Sequence, residues 1–341
     1  MHSLKVLFAL TAAAALSACG GGGGDSPAPP PPAPTPAPVV GTNGTLQTSV
    51  AAGTYADARR LNAFNQLNAV RLGAGAGLLA QSTALDTSAS NHANYLTENG
   101  FSTADSAHDE TAGVAGFTGG NPFVRMQSAG YNYSYATEVI GDIGSSSSTS
   151  DCVGDLLDTV YHAASMLSRV TDIGFGYGSG TAAGMCTIDM ASPFNGGGAR
   201  QIPASGAIVA YPYNGSTVAH GTFRVSNESP RVSIALLPNA TAGTPVVVGF
   251  RNQDVVAGGA VTITQFSIAT SGGAAVPAVI LAASGVTGTN VNADGDLDSD
   301  FAVLVPASPL AAGTYTVTLH ATISGGQAIS LTTWSFTVAA L

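Results

Sequence analysis

The fold of the first half of the chain is decided by residues 151–177, which read DCVGDLLDTVYHAASMLSRVTDIGFGY. Its first part predicts a helix over residues 151–166. Its last part, residues 172–177, alternates around Ile173 and Phe175, as a half-buried strand does. A helix followed closely by a strand indicates a mixed α/β domain.

Neighbouring segments extend this prediction in both directions. Residues 183–190 predict a strand that pairs with residues 172–177. Three earlier helices are predicted as well. The evidence is apolar residues at helical spacing and flanking residues that are typical of helix ends. These helices cover residues 57–72, 81–98 and 121–128. We therefore expect helices around a small sheet over residues 51–195.

After residue 240 the pattern changes to short apolar stretches separated by Gly, Pro and Asp turns. This pattern predicts strands and shows no helical period. The strands cover residues 246–250, 261–269, 276–281, 301–305, 314–323 and 329–338. Trp334 lies in the last strand and is expected in the core. The best match is an immunoglobulin-like β-sandwich over residues 241–341, joined to the first domain by a connector over residues 196–240.

The N-terminus predicts export. Residues 1–18 have a short basic start and an apolar segment that is too short to span a bilayer. The segment ends in Leu16-Ser17-Ala18-Cys19, which resembles a bacterial lipobox and predicts lipidation of Cys19. A Gly/Pro-rich spacer over residues 19–50 would hold the folded part away from the lipid surface. We expect a lipid-anchored protein of the bacterial cell envelope, with the outer membrane favoured; a plain secretory signal is the alternative.

The composition argues against nucleic-acid binding. Only 9% of the residues are charged, the formal net charge is −10, and Lys5 is the only lysine. Such a chain has no basic stripe that could neutralise phosphates. Cys152 and Cys186 are an even pair in an exported chain, so we expect a disulfide between them; metal ligation by the two thiols is the alternative.

A set of fragments in the first domain resembles the bacterial branch of the CAP superfamily, also called the SCP domain (cysteine-rich secretory proteins, antigen 5 and pathogenesis-related 1). The similarity covers about residues 57–190 and implies an α-β-α sandwich. The fragments, in chain order, are Leu67–Arg71, Gly77-Leu78, Leu85, Ala89, His92-Ala93, Tyr95, Ser106–His108, Gly116–Gly119, Arg125, Ala129–Tyr131, Glu138–Ile140, His162 and Asp172–Gly176.

The resemblance implies a central cleft in which two histidines and acidic residues hold a divalent metal. His108 and His162 match the two histidines, and Glu138 matches the first glutamate, although Val139 replaces the usual asparagine. The second acidic member stays open among Asp109, Glu110, Asp155 and Asp158. Two imidazoles and a carboxylate suit weakly bound Zn²⁺ or a related ion. His92 is expected to have a structural or hydrogen-bonding role instead.

Three functions are compatible with these residues. The first is an envelope-anchored binding protein, whose partners are the membrane, through the lipid, and a lipid or an envelope or host protein. The second is a metal-dependent, peptidase-like hydrolase that uses His108, Glu138 and His162 as catalytic residues. The third is an adhesive module that acts through the sandwich. The sequence favours binding over catalysis, because the acidic fourth member is uncertain.

Alternating carboxylates from Asp294 to Asp300 are a separate candidate, for Ca²⁺. The loop lacks Gly at its sixth position and Glu at its twelfth, where Val305 stands. A solvated acidic hairpin is therefore the favoured interpretation.

Lipidation is tested by Cys19→Ser. A fatty-acid analogue fed to the expressing bacterium should label the wild-type protein, because the Cys19 thiol carries the diacylglycerol. The label should be absent from the variant. Label that persists in Cys19→Ser would contradict the assignment.

Overall fold

The computed structural model describes residues 46–341 apart from short internal gaps and the last residue. The gaps are 100–105, 143–150, 179–183, 195–199, 205, 229, 231, 233–235, 238, 252–260, 324–326 and 330. The predicted signal segment, Cys19 and most of the spacer lie outside the described residues. No helix in the described part is long and apolar enough to cross a membrane.

The first region is a four-stranded sheet with helices packed on it. Its helices are α1 (Ala58–Ala74), α2 (Thr83–Asn99), α3 (Pro122–Ser128), α4 (Cys152–Leu157) and α5 (Tyr161–Met166). Its strands are β1 (Ala80–Gln81), β2 (Tyr133–Asp142), β3 (Asp172–Tyr177) and β4 (Met185–Pro193). The sheet order is β1-β3-β4-β2, with β1 parallel to β3 and the other pairs antiparallel.

Several elements of the first region differ from the sequence predictions, and two of them bear on the site. The single helix predicted over residues 151–166 is two short helices, because the chain between them turns at Asp158–Val160 and the Thr159 hydroxyl donates to the Leu156 carbonyl. Strand β2 was not predicted. It pairs along its length with β4 and places Glu138 opposite Asp189.

The two faces of β3 explain its sequence. Ile173 and Phe175 are buried on one face, in the apolar core. Gly174 and Gly176, which alternate with them along the strand, face α2. A Cβ atom on Gly174 would lie 2.1 Å from the Leu85 carbonyl carbon, and one on Gly176 would lie 2.2 Å from that of Ala89. The absence of both side chains therefore lets the α2 backbone rest directly on the strand.

The predicted disulfide between Cys152 and Cys186 is confirmed. It joins the start of α4 to β4, and both residues are 1% exposed. Arg71 makes a second link: its guanidinium is fully buried and donates to the carbonyls of Gly77, Met166 and Ser168. Helix α1 is thereby tied to the end of α5.

The second region consists mainly of strands, with a 3-10 helix at Val225–Asn227. The strands are β5 (Val209–Tyr211), β6 (Thr217–Val218), β7 (Phe223–Arg224), β8 (Thr241–Ala242), β9 (Val246–Gly249), β10 (Val261–Thr270), β11 (Ala275–Val276), β12 (Ala278–Ala282), β13 (Val286–Gly288), β14 (Val291–Ala293), β15 (Phe301–Pro306), β16 (Gly313–Ile323), β17 (Gln327–Ala328) and β18 (Thr333–Val338). Among the described residues, one sheet has the order β11-β10-β16-β18-β6 and another β14-β12-β15-β9-β5.

This arrangement confirms an α/β region followed by an all-β region, which we call the β-region; its immunoglobulin-like topology stays a prediction. The segment treated as a connector supplies β5 to one sheet and β6 to the other. Trp334 is buried, as expected, and its indole donates to the Pro212 carbonyl over 2.8 Å. Buried apolar residues of both regions form one continuous cluster.

The glycine face of β3 can be tested with Gly176→Ala. The added methyl group would meet only backbone atoms of Ala89 and Ser90, which cannot move aside cheaply. Overpacking of this kind should lower the free energy of unfolding by about 3 kcal/mol. Gly120→Ala is the control, because a Cβ there meets nothing within 4 Å. Equal urea midpoints for the two variants would show that the contact is not limiting.

Candidate functional site

Glu138 is the centre of a buried ionic network. Its side chain on β2 is fully buried. Nη2 of Arg125, on α3, donates to both carboxylate oxygens over 2.9 and 2.8 Å, and Nδ1 of His108 lies 2.8 Å from Oε1. Burial alone would raise the pKa of Glu138, but the His108 hydrogen bond and the charges of His92, Arg125 and His108 lower it to about 2. Glu138 is therefore ionised at neutral pH.

His92 and Glu110 continue the network behind Glu138. Nδ1 of His92 lies 2.9 Å from Oε1 of Glu110, and Nε2 lies 2.9 Å from the Ala107 carbonyl oxygen. Each ring nitrogen therefore lies within hydrogen-bond distance of an oxygen atom. Burial alone would raise the pKa of Glu110, but hydrogen bonds from His92 and the Thr118 amide, with the charge of Arg125, hold it below its usual value.

Asp189 on β4 is a buried carboxyl group whose pKa is shifted in the opposite direction from that of Glu138. It is fully buried next to Glu138, and among the described residues neither carboxyl oxygen has a hydrogen-bond partner of ordinary length and angle, although the Ser88 hydroxyl is near enough to oppose the rise of the pKa. Burial, and then the negative charge of Glu138, raise the pKa of Asp189 well above its usual range. Asp189 therefore keeps its proton while Glu138 is ionised.

His108 connects this network to solvent. Its side chain is 31% exposed, whereas the side chains of Arg125, Glu138, His92 and Glu110 are fully buried. The ring lines a cavity of about 450 Å³. Since Nδ1 is held by Glu138, Nε2 is the ring nitrogen available to a ligand.

His162 does not join His108 and Glu138. Its Nδ1 lies 3.0 Å from Oε1 of Glu228 and 2.9 Å from the Thr159 hydroxyl. Glu228 comes from the β-region, between β7 and β8, and it also accepts from the backbone amides that begin α5. The ring of His162 is thereby held by this buried carboxylate and is absent from the cavity lining.

The expected metal trio is therefore not assembled, and the site does not fit Zn²⁺. Zinc sites in proteins use three or four protein ligands. No group of three or more His, Cys, Asp or Glu residues in the described part of the chain is arranged to hold a metal ion. The donors that are present, His108 and Glu138, already bind each other and Arg125.

The four candidates for the second acidic member lie in different places. Glu110 belongs to the buried network and Asp109 lines the cavity. Asp155 is on α4 and has a pKa raised by burial. Asp158 bonds Nδ1 of His220 over 3.1 Å; burial raises its pKa to about 7, although His220 opposes the shift. Of the four, Glu110 is the one that shares the network of Glu138.

Sequence reasoning gave no role to Arg125 or Asp189. Arg125 was one fragment of the family resemblance, and a lone arginine in a chain with few charges is a usable indication of a buried carboxylate partner. Asp189 gave no such indication, because its position beside Glu138 depends on the unpredicted pairing of β2 with β4. His92 has the hydrogen-bonding role that was expected of it.

Comparison with known proteins agrees with this fold. The family model described as "CAP: Cysteine-rich secretory protein family" matches residues 64–190. No curated protein matches the chain. The geometry defines an α-β-α domain with a cleft that contains His108 and Glu138. Residues 64–190 match the CAP family, and we call this part of the chain the CAP domain.

Solved structures with some likeness to the chain include three proteins. An extracellular protein with an SCP domain from Bacillus anthracis str. Ames has 19% identity and a TM-score of 0.32, over 39% of this chain and 40% of that one. An outer surface protein from Borrelia burgdorferi has 15% identity and a TM-score of 0.32, over 38% and 89%. CopC from Methylosinus trichosporium OB3b has 20% identity and a TM-score of 0.22, over 38% and 88%. The chain thus spans two fifths of the Bacillus protein.

The ionisation of Glu138 is tested by Glu138→Gln. A carboxylate with a lowered pKa stabilises the fold above its ordinary pKa of about 4.5, and that contribution is lost as the pH falls towards about 2. The variant should lose about 3–5 kcal/mol at pH 7, because Arg125 is left buried without its partner. Its stability should also fall less than that of the wild type between pH 7 and pH 3.

Urea unfolding at pH 7 and pH 3 measures both effects. Glu98→Gln is the matched control, because Glu98 is exposed on α2. The same pH dependence in the wild type and in Glu138→Gln would contradict the assigned charge state.

Proposed function

We propose that this chain is an exported, lipid-anchored protein of the bacterial envelope, and that its CAP domain binds a small polar ligand in the cavity lined by His108. One observation carries the proposal. His108 is partly exposed and lines a cavity, while the network that holds its ring is fully buried. A rigidly held donor or acceptor at the wall of a concave site is what a binding pocket requires.

The buried network supports binding by fixing the ring in advance. Glu138 orients His108, Arg125 orients Glu138, and Arg125 also donates to the His108 carbonyl over 2.9 Å. His108 is thus held at two points, at its imidazole ring by Glu138 and at its backbone carbonyl by Arg125. A ligand then meets a ring that loses little freedom on binding, which favours affinity.

Export is supported by two independent features. The Cys152–Cys186 disulfide belongs in an oxidising compartment. The N-terminal pattern that ends in Cys19 predicts a lipid anchor, with the outer membrane favoured. The partners proposed for the chain are therefore the membrane, through the anchor, and an envelope or host molecule at the cavity.

Hydrolysis is the second candidate function. The pair of His108 and Glu138 has the geometry of a general base that a carboxylate orients, and Ser165 lines the same cavity. The proposed metal-dependent mechanism, however, needs a third ligand beside this pair, and His162 is bound to Glu228 instead. The geometry therefore supports binding better than metal-assisted hydrolysis.

The binding proposal is tested by a ligand-observed NMR screen of small polar fragments against the full-length protein. Fragments that bind the cavity should bind at least about ten-fold more weakly to His108→Ala, because they lose a hydrogen bond to a partly buried ring. His108→Gln serves as a second variant that keeps a polar side chain for Glu138.

The matched control is His320→Ala, since His320 is exposed on β16. It should keep the affinity of the wild type. Thermal unfolding verifies that all variants are folded. The proposal is wrong if no fragment binds, or if every hit binds the His108 variants as well as it binds the wild type.

A further inference from the structure

The cavity at His108 is not built by the CAP domain alone. On one side it is lined by CAP residues that include His108, Tyr135 and Tyr161. On the other side it is lined by Asp296, Leu297 and Asp298 of the β-region. The loop between β14 and β15 therefore supplies one wall of the site.

This wall is fixed by three polar contacts to the CAP domain. The Tyr161 hydroxyl donates to Asp294 over 2.8 Å, and the Tyr135 hydroxyl donates to Asp298. Arg169 forms an ion pair with Asp300 over 3.0 Å, with side-chain exposures of only 5% and 3%. The loop is therefore not the solvated hairpin that the sequence suggested, because Asp300 is buried in an ion pair and two further carboxylates are bound to phenols.

The lining of the cavity is unbalanced in charge. The described residues that line it include four carboxylates, and among these residues His108 is the only one with a basic side chain. The charge of Glu138 is matched by Arg125. In the described part of the chain, no arginine forms an ion pair with the other three, Asp109, Asp296 and Asp298, although Asp298 also interacts electrostatically with Arg169. The cavity therefore favours a positively charged ligand.

The aromatic residues of the lining narrow the kind of cation. Phe123, Tyr135 and Tyr161 line the same space. The guanidinium of Arg200, which is not among the lining residues, already stacks on Tyr135, 3.9 Å from the ring centroid. A guanidinium stacks on aromatic rings and pairs with carboxylates in the plane of its N–H groups. The cavity offers both kinds of partner to a second guanidinium.

We infer that the composite cavity binds a small guanidinium-bearing molecule, and that Asp109 of the CAP domain and Asp296 of the β-region select its charge. The inference rests on the proposed function, since it names the ligand class of the same site. The flat cation would lie against the aromatic lining, with the carboxylates at its edges. His108 would contact the polar part of the molecule at the opposite wall.

The test is calorimetric titration of the full-length protein with Nα-acetyl-arginine amide and, separately, with Nα-acetyl-citrulline amide. The two probes have nearly the same shape, and only the first is charged. The arginine probe should bind at least about ten-fold more tightly than the citrulline probe. Its affinity should fall as salt is raised, because Asp109 and Asp296 are exposed to screening ions.

Isosteric variants locate the effect. Asp296→Asn should weaken the arginine probe about three-fold to ten-fold and leave the citrulline probe unchanged. Asp109→Asn should do the same from the CAP side of the cavity. Both residues are exposed, so neither change should disturb the fold. Glu98→Gln removes the same charge from outside the cavity and should have no effect.

The outcomes separate this inference from the proposed function. Equal affinities for the two probes, or no binding of the arginine probe, overturn the inference. In either case the proposed function stands if screened fragments still depend on His108. An arginine probe that binds more tightly but is unaffected by Asp296→Asn and Asp109→Asn also overturns the inference, because the cation then binds elsewhere.

Discussion

The close approach of α2 to the glycine face of β3 sets the spacing between helix and sheet on which the site depends. Gly174 and Gly176 leave no side chain between the two backbones. Helix α2 carries His92, so its depth decides whether that ring can reach Glu110. A packing constraint on one strand thus fixes the position of the His92 imidazole on another element.

The position of β3 in turn constrains the positions of the neighbouring strands of the sheet. Strand β4 lies between β3 and β2, and it carries Asp189 in register with Glu138. Two carboxyl groups side by side in a low-dielectric core cannot both be ionised cheaply. The neighbouring side chains decide which of the two is ionised. Arg125, His92 and His108 face Glu138, so Glu138 is ionised and Asp189 keeps its proton. The sheet register therefore determines the electrostatics of the cleft.

Much of this architecture was within reach of the sequence, because it depends on local pattern. Strand β3 alternates clearly, α1 and α2 have helical spacing, and the two cysteines are an even pair. Strand β2 was missed because its inward positions include Glu138, a residue that a simple apolar alternation does not predict. The pairing of His108 with Glu138 came from the family resemblance rather than from spacing.

The remaining parts of the site could not be predicted, because they depend on segments distant in sequence. His162 has the position that the family pattern gives it, yet its partner Glu228 is 66 residues further along the chain. The contact of Asp298 with Tyr135 likewise joins residues in different regions. Local periodicity carries no information about such contacts, since they are decided by how the two regions pack.

The buried disulfide has a kinetic consequence. Cys152 and Cys186 are both 1% exposed, beneath α4 and the sheet. A thiolate reductant has to reach a sulfur atom along its axis of attack, so it can react only when this part of the fold opens. The rate of reduction under native conditions therefore measures how often α4 separates from β4. The disulfide is therefore a built-in probe of local opening in the part of the sheet that contains Asp189.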